Sequence, residues 1–143
     1  MVKKKLFDKC VGLLEESGLG ENAVCEVTWV FEDVAEGEDI TPEQEKRISD
    51  IVTRRCEGYP LQYLLGQWEF YGLPFKVGEG VLIPRQDTET IVDTALKMFA
   101  GKKDITVIDL CSGSGCIGIT LERKLDCGRA VCVEKSEKAA EYL

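Results

Sequence analysis

The sequence predicts an α/β protein in which a small helical bundle is followed by a β-hairpin linker and by one β-α-β unit. Three observations support this order. Apolar residues recur at helical spacing from the start of the chain to Leu65. Aromatic and β-branched residues then form two short runs on either side of a glycine. Finally, two short apolar runs flank a glycine-rich loop and a helical stretch.

Two helices are predicted at the start of the chain. In residues 3–17 the apolar side chains recur with the spacing of one helical face, and Gly18 ends the pattern. A second helix is expected over residues 22–34, where valines, a tryptophan and a phenylalanine recur. The two patterns together indicate that the chain begins as a helical bundle.

The third helix has a clear start signal. Thr41 suits the N-cap, Pro42 suits the first helical position, and Gln44 can complete a capping box. The helix is expected to stop near Gly58, and residues 61–65 to add one short helical turn. The chain up to Leu65 is therefore predicted to form a bundle of three or four short helices.

A β-hairpin is predicted beyond the bundle. Its two strands carry aromatic and β-branched residues, and the segment 72–74, Gly-Leu-Pro, separates them. Three aromatic residues are interpreted as parts of the core rather than as substrate contacts. They are Trp29, Trp68 and Phe70.

Helices and strands alternate in the rest of the chain. Residues 81–85 are an extended approach to a helix that Asp87 caps and that continues to Phe99. The apolar run 105–110 does not alternate with polar residues, which predicts a strand covered on both faces. A helix, a second apolar strand and the start of a further helix are expected at 116–124, 129–134 and 136–143. The helical, linker and α/β parts are accordingly placed at 1–66, 67–86 and 87–143.

Charge and composition exclude several classes of function. The formal net charge is −8, and the carboxylates are spread along the chain, which argues against direct binding to nucleic acid. The one basic cluster, residues 3–5, is interpreted as the solvated first turn of a helix. The chain contains no histidine, which removes Ser-His and Cys-His catalysis together with the commonest metal ligand.

Neither a membrane span nor a secretion signal is expected. Charged residues interrupt the apolar residues near the N-terminus, and no stretch approaches the roughly 20 apolar residues of a membrane span. Seven cysteines without a secretion signal are typical of reduced thiols, and we expect a cytoplasmic protein. Cys111, Cys116, Cys127 and Cys132 form two C-x4-C pairs, but their positions in a glycine loop, at a helix start and in a strand argue against zinc. No metal is therefore expected.

The segment 109–115, Asp-Leu-Cys-Ser-Gly-Ser-Gly, joins a strand to a helix and carries the main functional signal. Its glycines let the backbone approach a ligand closely, and the helix beyond presents N–H groups to it. Glu134 falls at the end of the next strand after this loop, where a carboxylate can accept both hydrogen bonds of a ribose diol. This order of elements predicts a site for a nucleotide cofactor.

Two features of the loop favour S-adenosylmethionine over a nicotinamide dinucleotide. Residues 113–118 match the dinucleotide fingerprint G-x-G-x-x-G, but Asp109 ends the strand four residues before Gly113, so the loop is longer than the dinucleotide turn. The Asp109 carboxylate also favours the cationic amino group of a methionine moiety and repels a pyrophosphate. The loop therefore predicts an S-adenosylmethionine-dependent methyltransferase.

Three segments upstream of the loop are more distinctive than the loop itself. They are Pro-Leu-Gln-Tyr-Leu-Leu-Gly at 60–66, Glu-Phe-Tyr-Gly-Leu at 69–73 and Leu-Ile-Pro-Arg-Gln-Asp-Thr-Glu at 82–89. In order and spacing these segments and the loop resemble the HemK/PrmC family of release-factor glutamine methyltransferases. The related ribosomal-protein glutamine methyltransferases share the hairpin but usually lack the Thr-Glu pair. The resemblance is strong from Tyr59 to Glu134, whereas the part of the chain before Tyr59 matches only in helical layout.

The resemblance implies a Rossmann-like α/β part and methyl transfer from S-adenosylmethionine to the glutamine of the Gly-Gly-Gln motif in peptide-chain release factors. The helical domain is expected to recognise the release factor. The backbone of the loop would cradle the cofactor, with Asp109 orienting the loop and Glu134 holding the ribose hydroxyls. Arg85 and Thr88 would close the pocket, or would instead cap and pair at the helix start. The expected cofactor-binding residues are Arg85, Thr88, Asp109, Cys111, Ser112, Gly113, Ser114, Gly115 and Glu134.

Two substitutions and one absence separate the sequence from the family pattern. Gln86 stands where the family usually has proline, and Cys111 where it usually has glycine. A non-glycine residue at 111 is expected to be tolerable if its dihedral angles are ordinary, and to weaken cofactor binding. The family's catalytic signature, Asn-Pro-Pro-Tyr, is missing, because the chain has no adjacent prolines. We therefore expect a truncated, inactive portion that holds part of the cofactor site and no catalytic residue.

Two alternative functions remain open at this point. The G-x-G-x-x-G match is compatible with a fragment of an NAD-dependent oxidoreductase. The helical part is also compatible with a non-catalytic module that docks a release factor.

Overall fold

The computed structural model describes residues 2–35, 37, 39–125 and 127–143. The chain divides into two compact units, residues 1–65 and 66–143. The first unit is helical, and the second combines helices with two small sheets. Within the described ranges, no helix has both the length and the apolar character needed to cross a membrane.

The helices predicted for the first unit are confirmed. Their bounds are α1 Val2–Glu16, α2 Ala23–Val34, α3 Pro42–Cys56 and α4 Leu61–Leu65. The capping box predicted for α3 is confirmed as well. The Gln44 N–H donates to Thr41 Oγ1 over 3.2 Å, and the Thr41 N–H donates to Gln44 Oε1 over 2.9 Å. Local sequence signals therefore determine where α3 begins.

The core of the first unit draws apolar side chains from all four helices. Its buried members are Leu6, Cys10, Leu14, Ala23, Val27, Val30, Phe31, Val34, Ile48, Ile51, Val52 and Leu61. At its edge Arg55 of α3 donates two hydrogen bonds to Glu26 of α2, over 2.7 and 3.0 Å. These bonds raise the pKa of Arg55 and hold the two helices together as a bidentate pair. Trp29 was predicted to be a core aromatic, but it is 37% exposed, so this prediction is wrong.

A β-hairpin opens the second unit. Strand β1, Gln67–Phe70, pairs antiparallel with strand β2, Leu73–Lys76. The two residues between the strands, Tyr71 and Gly72, both have positive φ angles, 54° and 74°, as in the tight turns that match the twist of the strands. The hairpin is confirmed, but the predicted separator is not, because Leu73 and Pro74 belong to β2. Phe70 is buried, as predicted for a core aromatic.

A β-α-β unit follows the hairpin. The bounds are α5 Glu89–Met98, β3 Ile105–Leu110, α6 Cys116–Lys124, β4 Cys127–Val133 and α7 Glu137–Ala140. Strands β3 and β4 pair in parallel, as a β-α-β connection requires. The core between the hairpin and the helices α5 and α6 has four buried members, Phe70, Phe75, Val92 and Leu121. This core supports the sheet from one side.

Two further predictions for the second unit are wrong. Asp87 does not cap α5: it lies in a short 3₁₀ turn, Gln86–Thr88, and α5 begins two residues after it. Strand β3 is not covered on both faces, because its residues alternate between half-buried and exposed, and Ile108 and Leu110 are 63% and 69% exposed. The side of the sheet that carries these two residues is open to solvent.

Candidate cofactor site

The glycine-rich loop lies at the carboxyl end of β3 and leads directly into α6. Gly115 occupies the N-cap of α6 in the left-handed region, with φ 73°, and Gly113 has φ 56°. The Gly115 N–H donates to the Ser112 carbonyl over 2.8 Å, which closes the turn. The Ser112 N–H donates to the carbonyl of Val133, at the end of β4, over 3.1 Å. The loop is therefore fixed to the carboxyl ends of both parallel strands, where α/β sheets bind ligands.

Glu134 follows β4 and contacts the loop from the neighbouring strand. Its Oε2 accepts a hydrogen bond from the Gly113 N–H over 2.8 Å, and its Oε1 accepts one from the Ser136 N–H over 2.8 Å. The bonds from Ser136 and Gly113 hold the pKa of Glu134 below its ordinary value. The structure thus brings together the two residues that the sequence singled out, and it keeps the carboxylate ionised at neutral pH.

Asp109 lies on the face of β3 that α6 covers. Its Oδ2 accepts a hydrogen bond from the Gly118 N–H over 2.9 Å. Gly118 is the third residue of α6, so the carboxylate satisfies one of the N–H groups that every helix leaves unpaired at its start. The negative charge also complements the helix dipole. Asp109 therefore joins β3 to the first turn of α6, the helix that follows the loop.

The serines of the loop are buried, and so is one hydroxyl of α6. Ser112 and Ser114 are 8% and 3% exposed. Among the residues that the structure describes, neither Ser112 Oγ nor Thr120 Oγ1 has a hydrogen-bond partner. Burial raises the pKa of the Cys116 thiol, although a hydrogen bond with Ser114 opposes the shift. Burial thus favours the protonated thiol of Cys116 over the nucleophilic thiolate.

Cys111 is exposed and has a φ of 60°. This angle lies in the left-handed region, where a β-carbon meets the following carbonyl oxygen and only glycine is unstrained. The ordinary dihedral angles at which a non-glycine residue is expected to be tolerable here are thus not found. The loop therefore holds Cys111 in a backbone conformation that a cysteine disfavours.

Arg85 and Thr88 lie in the segment before α5, on either side of the short 3₁₀ turn. Neither side chain makes a capping hydrogen bond. The start of α5 is instead fixed by Glu89, whose Oε1 accepts a hydrogen bond from the Tyr71 N–H over 2.7 Å. Within the described ranges, no hydrogen bond joins Arg85 or Thr88 to the glycine-rich loop, so their expected role at the cofactor pocket stays a prediction.

Residues 78–81 contact the residues that follow Glu134, and the sequence motifs did not predict this contact. A β-carbon on Gly78 would overlap the ring of Tyr142, and one on Gly80 would lie 2.6 Å from Cδ of Lys138. The glycines therefore make room for side chains that follow β4. The available signal was the pair of glycines two residues apart in a stretch without predicted structure.

Known proteins resemble this chain at both its helical and its α/β parts. Residues 25–66 match the PrmC N-terminal domain. The release factor glutamine methyltransferase of Fusobacterium nucleatum is 35% identical over 94% of this chain and 41% of its own length. The protein of the same name from Geobacter sulfurreducens is 39% identical over 95% of this chain and 50% of its own length. By sequence, the chain is similar over most of its own length to release factor glutamine methyltransferases.

The family resemblance inferred from the motifs is thereby confirmed. The match to the PrmC N-terminal domain covers mostly residues that the motifs left uninformative, namely those before Tyr59. The two alignments that span 94% and 95% of the chain also extend across the glycine-rich loop. The chain spans half or less of the length of these relatives, including a third from Thermodesulfovibrio yellowstonii that is 38% identical over 75% of this chain and 39% of its own length.

Proposed function

We propose that the second unit is the opening part of a Rossmann-like domain that binds S-adenosylmethionine, in a protein that methylates glutamine in release factors. The observation that carries the proposal is the contact between Glu134 and the glycine-rich loop. In this contact an ionised carboxylate lies beside the backbone of a glycine, at the carboxyl ends of two parallel strands. This is the arrangement that recognises the ribose of a nucleoside cofactor.

The occupied N–H groups of the loop support S-adenosylmethionine over a dinucleotide. In a phosphate-binding loop the N–H groups of the turn and of the helix start point at the pyrophosphate. Here the Gly113 N–H donates to Glu134, and the Gly118 N–H donates to Asp109. Two carboxylates therefore take the places of phosphate oxygens and would repel a pyrophosphate. A sulfonium cation and an uncharged ribose are compatible with the same charges.

The residues of the loop fit the proposed cofactor. Gly113 and Gly115, with positive φ angles, allow a ligand to approach the backbone closely. The buried Ser112 hydroxyl, without a partner among the described residues, has hydrogen-bonding capacity for a ligand. Each oxygen of Glu134 also retains a second acceptor site, because an ionised carboxylate accepts about four hydrogen bonds. Glu134 would hold the ribose, and the backbone of residues 111–115 would hold the remainder.

The contribution of this chain to methyl transfer would be to bind and orient the cofactor. S-adenosylmethionine supplies an electrophilic methyl group on its sulfonium sulfur. A glutamine amide nitrogen is a poor nucleophile, so its methylation depends on alignment with that methyl group and on acceptors for its N–H groups. The Asn-Pro-Pro-Tyr signature that would supply these acceptors does not occur in this sequence, and we assign no catalytic residue. We further propose that the first unit recognises the release factor.

Isothermal titration with S-adenosylhomocysteine, the product form of the cofactor, tests the proposal. We expect one site per chain, and loss of binding in Glu134→Ala. The matched control is Glu137→Ala, which removes an exposed carboxylate three residues further on, and which should bind like the unaltered chain. Binding of NADH instead would establish the oxidoreductase alternative. If neither ligand binds while the helices remain folded, the docking module becomes the better description.

A further inference from the structure

Glu134 makes hydrogen bonds to two separate segments of the chain, which ligand binding alone would not require. One of its oxygens accepts the Gly113 N–H of the glycine-rich loop, and the other accepts the Ser136 N–H at the start of α7. The loop follows β3 and α7 follows β4, so a single carboxylate joins the segments that leave two neighbouring strands. Charge-assisted bonds of this length are about twice as strong as neutral ones.

The segment after Glu134 continues this connection to residues 78–81. The Ser136 hydroxyl caps α7 by accepting the Ala139 N–H over 3.2 Å. Beyond this cap, Lys138 Nζ lies 3.8 Å from Glu79 Oε2, and the Tyr142 hydroxyl donates to the Glu79 carbonyl over 3.4 Å. The orientation of α7 therefore determines where two side chains meet residues 78–81.

Residues 78–81 also lie close to the glycine-rich loop. Val81 is 2% exposed, and its Cγ2 lies 3.7 Å from the position that a β-carbon on Gly113 would occupy. The distance would be an ordinary van der Waals contact for a side chain at position 113, so Val81 lies beside the loop and leaves room for a β-carbon there. The loop, Glu134, α7 and residues 78–81 thus neighbour one another in a ring, in which the Glu134 side chain accepts hydrogen bonds from both the loop and the start of α7.

We propose that Glu134 is a positioning residue that holds the glycine-rich loop, the start of α7 and, through α7, residues 78–81 in one arrangement before any ligand binds. This inference rests on the proposed function in one respect: the arrangement is taken to be the one that binds the cofactor. A carboxylate suits this role because it accepts both N–H groups and keeps acceptor sites for the ribose. A ligand then finds the loop already ordered and binds without the entropic cost of ordering it.

Amide hydrogen exchange in the ligand-free, ¹⁵N-labelled chain tests this proposal without reference to any cofactor. In Glu134→Gln the side chain offers one oxygen acceptor in place of two, and its NH₂ group faces the other N–H. We expect exchange at Gly113 or Ser136 to accelerate about tenfold or more, together with an upfield shift of that amide proton. The amides of residues 78–81 should shift as well, whereas the Gly118 amide, bonded to Asp109, should not.

Glu137→Gln is the matched control, since it neutralises an exposed carboxylate on α7 and should leave all these amides unchanged. If Glu134 served only to bind a ligand, the Glu134→Gln substitution would leave the amide exchange rates of Gly113 and Ser136 unchanged. This result overturns the proposal. The unaltered chain provides a test that needs no variant: an unprotected Gly113 amide overturns the proposal directly. Titration of the same samples with S-adenosylhomocysteine separates the two proposals, because cofactor binding is compatible with either exchange result.

Discussion

The side chain of Cys111 strains the backbone of the loop that contains it. Its φ of 60° brings the β-carbon close to the following carbonyl oxygen, which costs an ordinary residue about 1–2 kcal/mol. The next residue fixes this angle, because the Ser112 N–H donates to the Val133 carbonyl and ties the loop to β4. A hydrogen-bonded connection to the neighbouring strand therefore accompanies a backbone conformation that the β-carbon of Cys111 disfavours.

Replacing Cys111 with glycine should stabilise the second unit. Glycine removes the β-carbon that strains the left-handed conformation, while it adds entropy to the unfolded chain, so we expect a net gain of about 1 kcal/mol in the free energy of unfolding. Urea denaturation followed by near-ultraviolet circular dichroism measures this change. Cys111→Ala is the control, since it removes the thiol and keeps the β-carbon. An equal gain in both variants would show that the thiol, and not the backbone, is the source of the cost.

Helix α6 approaches the sheet closely because of one glycine. A β-carbon on Gly118 would lie 2.9 Å from Cβ of Asp109 and 2.9 Å from Sγ of Cys132, both of which belong to the strands below. Close approach also allows the Gly118 N–H to reach the Asp109 carboxylate. Burial and the nearby Asp109 charge raise the pKa of the Cys132 thiol, as expected for a side chain enclosed between helix and sheet.

Alanine at two helical glycines should therefore have opposite effects. Gly118→Ala forces α6 away from the strands, and we expect it to destabilise the second unit by about 1–3 kcal/mol. Gly12→Ala in α1 meets nothing within 4 Å, so it should stabilise the first unit by up to about 1 kcal/mol, the difference in helix propensity. Thermal unfolding of both variants measures the two effects. A neutral Gly118→Ala would show that α6 can move without loss and would contradict the close packing.

The elements that the sequence predicted correctly are those whose signals are local. Thr41 and Gln44 lie within one turn of each other, so the start of α3 was readable from the sequence. The start of α5 was not, because it depends on a bond between Glu89 and the hairpin, 18 residues earlier in the chain. The open face of β3 was also unpredictable, since an apolar run does not reveal which neighbours cover it.

The candidate site follows the same rule. The loop and Glu134 have a fixed order along the chain, and the structure places them in contact. Residues 78–81 were missed because their neighbours, Lys138 and Tyr142, lie near the other end of the second unit's sequence. Contacts between distant segments leave no periodic pattern in a single sequence. The motif thus predicted that the loop and Glu134 belong to the candidate site, whereas the residues around them could be found only from the fold.

In the part of the chain that the structure describes, two apolar cores share no residue. The core of residues 1–65 collects twelve buried side chains, whereas that of residues 66–143 collects four. The second unit also exposes apolar side chains on its sheet, including Ile108 and Leu110. A parallel sheet is normally covered on both faces. The first unit therefore has the more complete core.

Residues 1–65, expressed alone, should consequently fold. We expect helical circular dichroism and cooperative thermal unfolding with an enthalpy of about 45 kcal/mol near 60 °C, the value for a domain of this size. Val27→Ala, at a position with 0% exposure in α2, should cost about 2 kcal/mol and lower the midpoint by about 8–16 °C. Val24→Ala is the matched control: it lies one turn earlier, is 59% exposed and should change the midpoint little. A broad, non-cooperative transition, or equal effects of the two variants, would mean that this core does not stabilise the unit on its own.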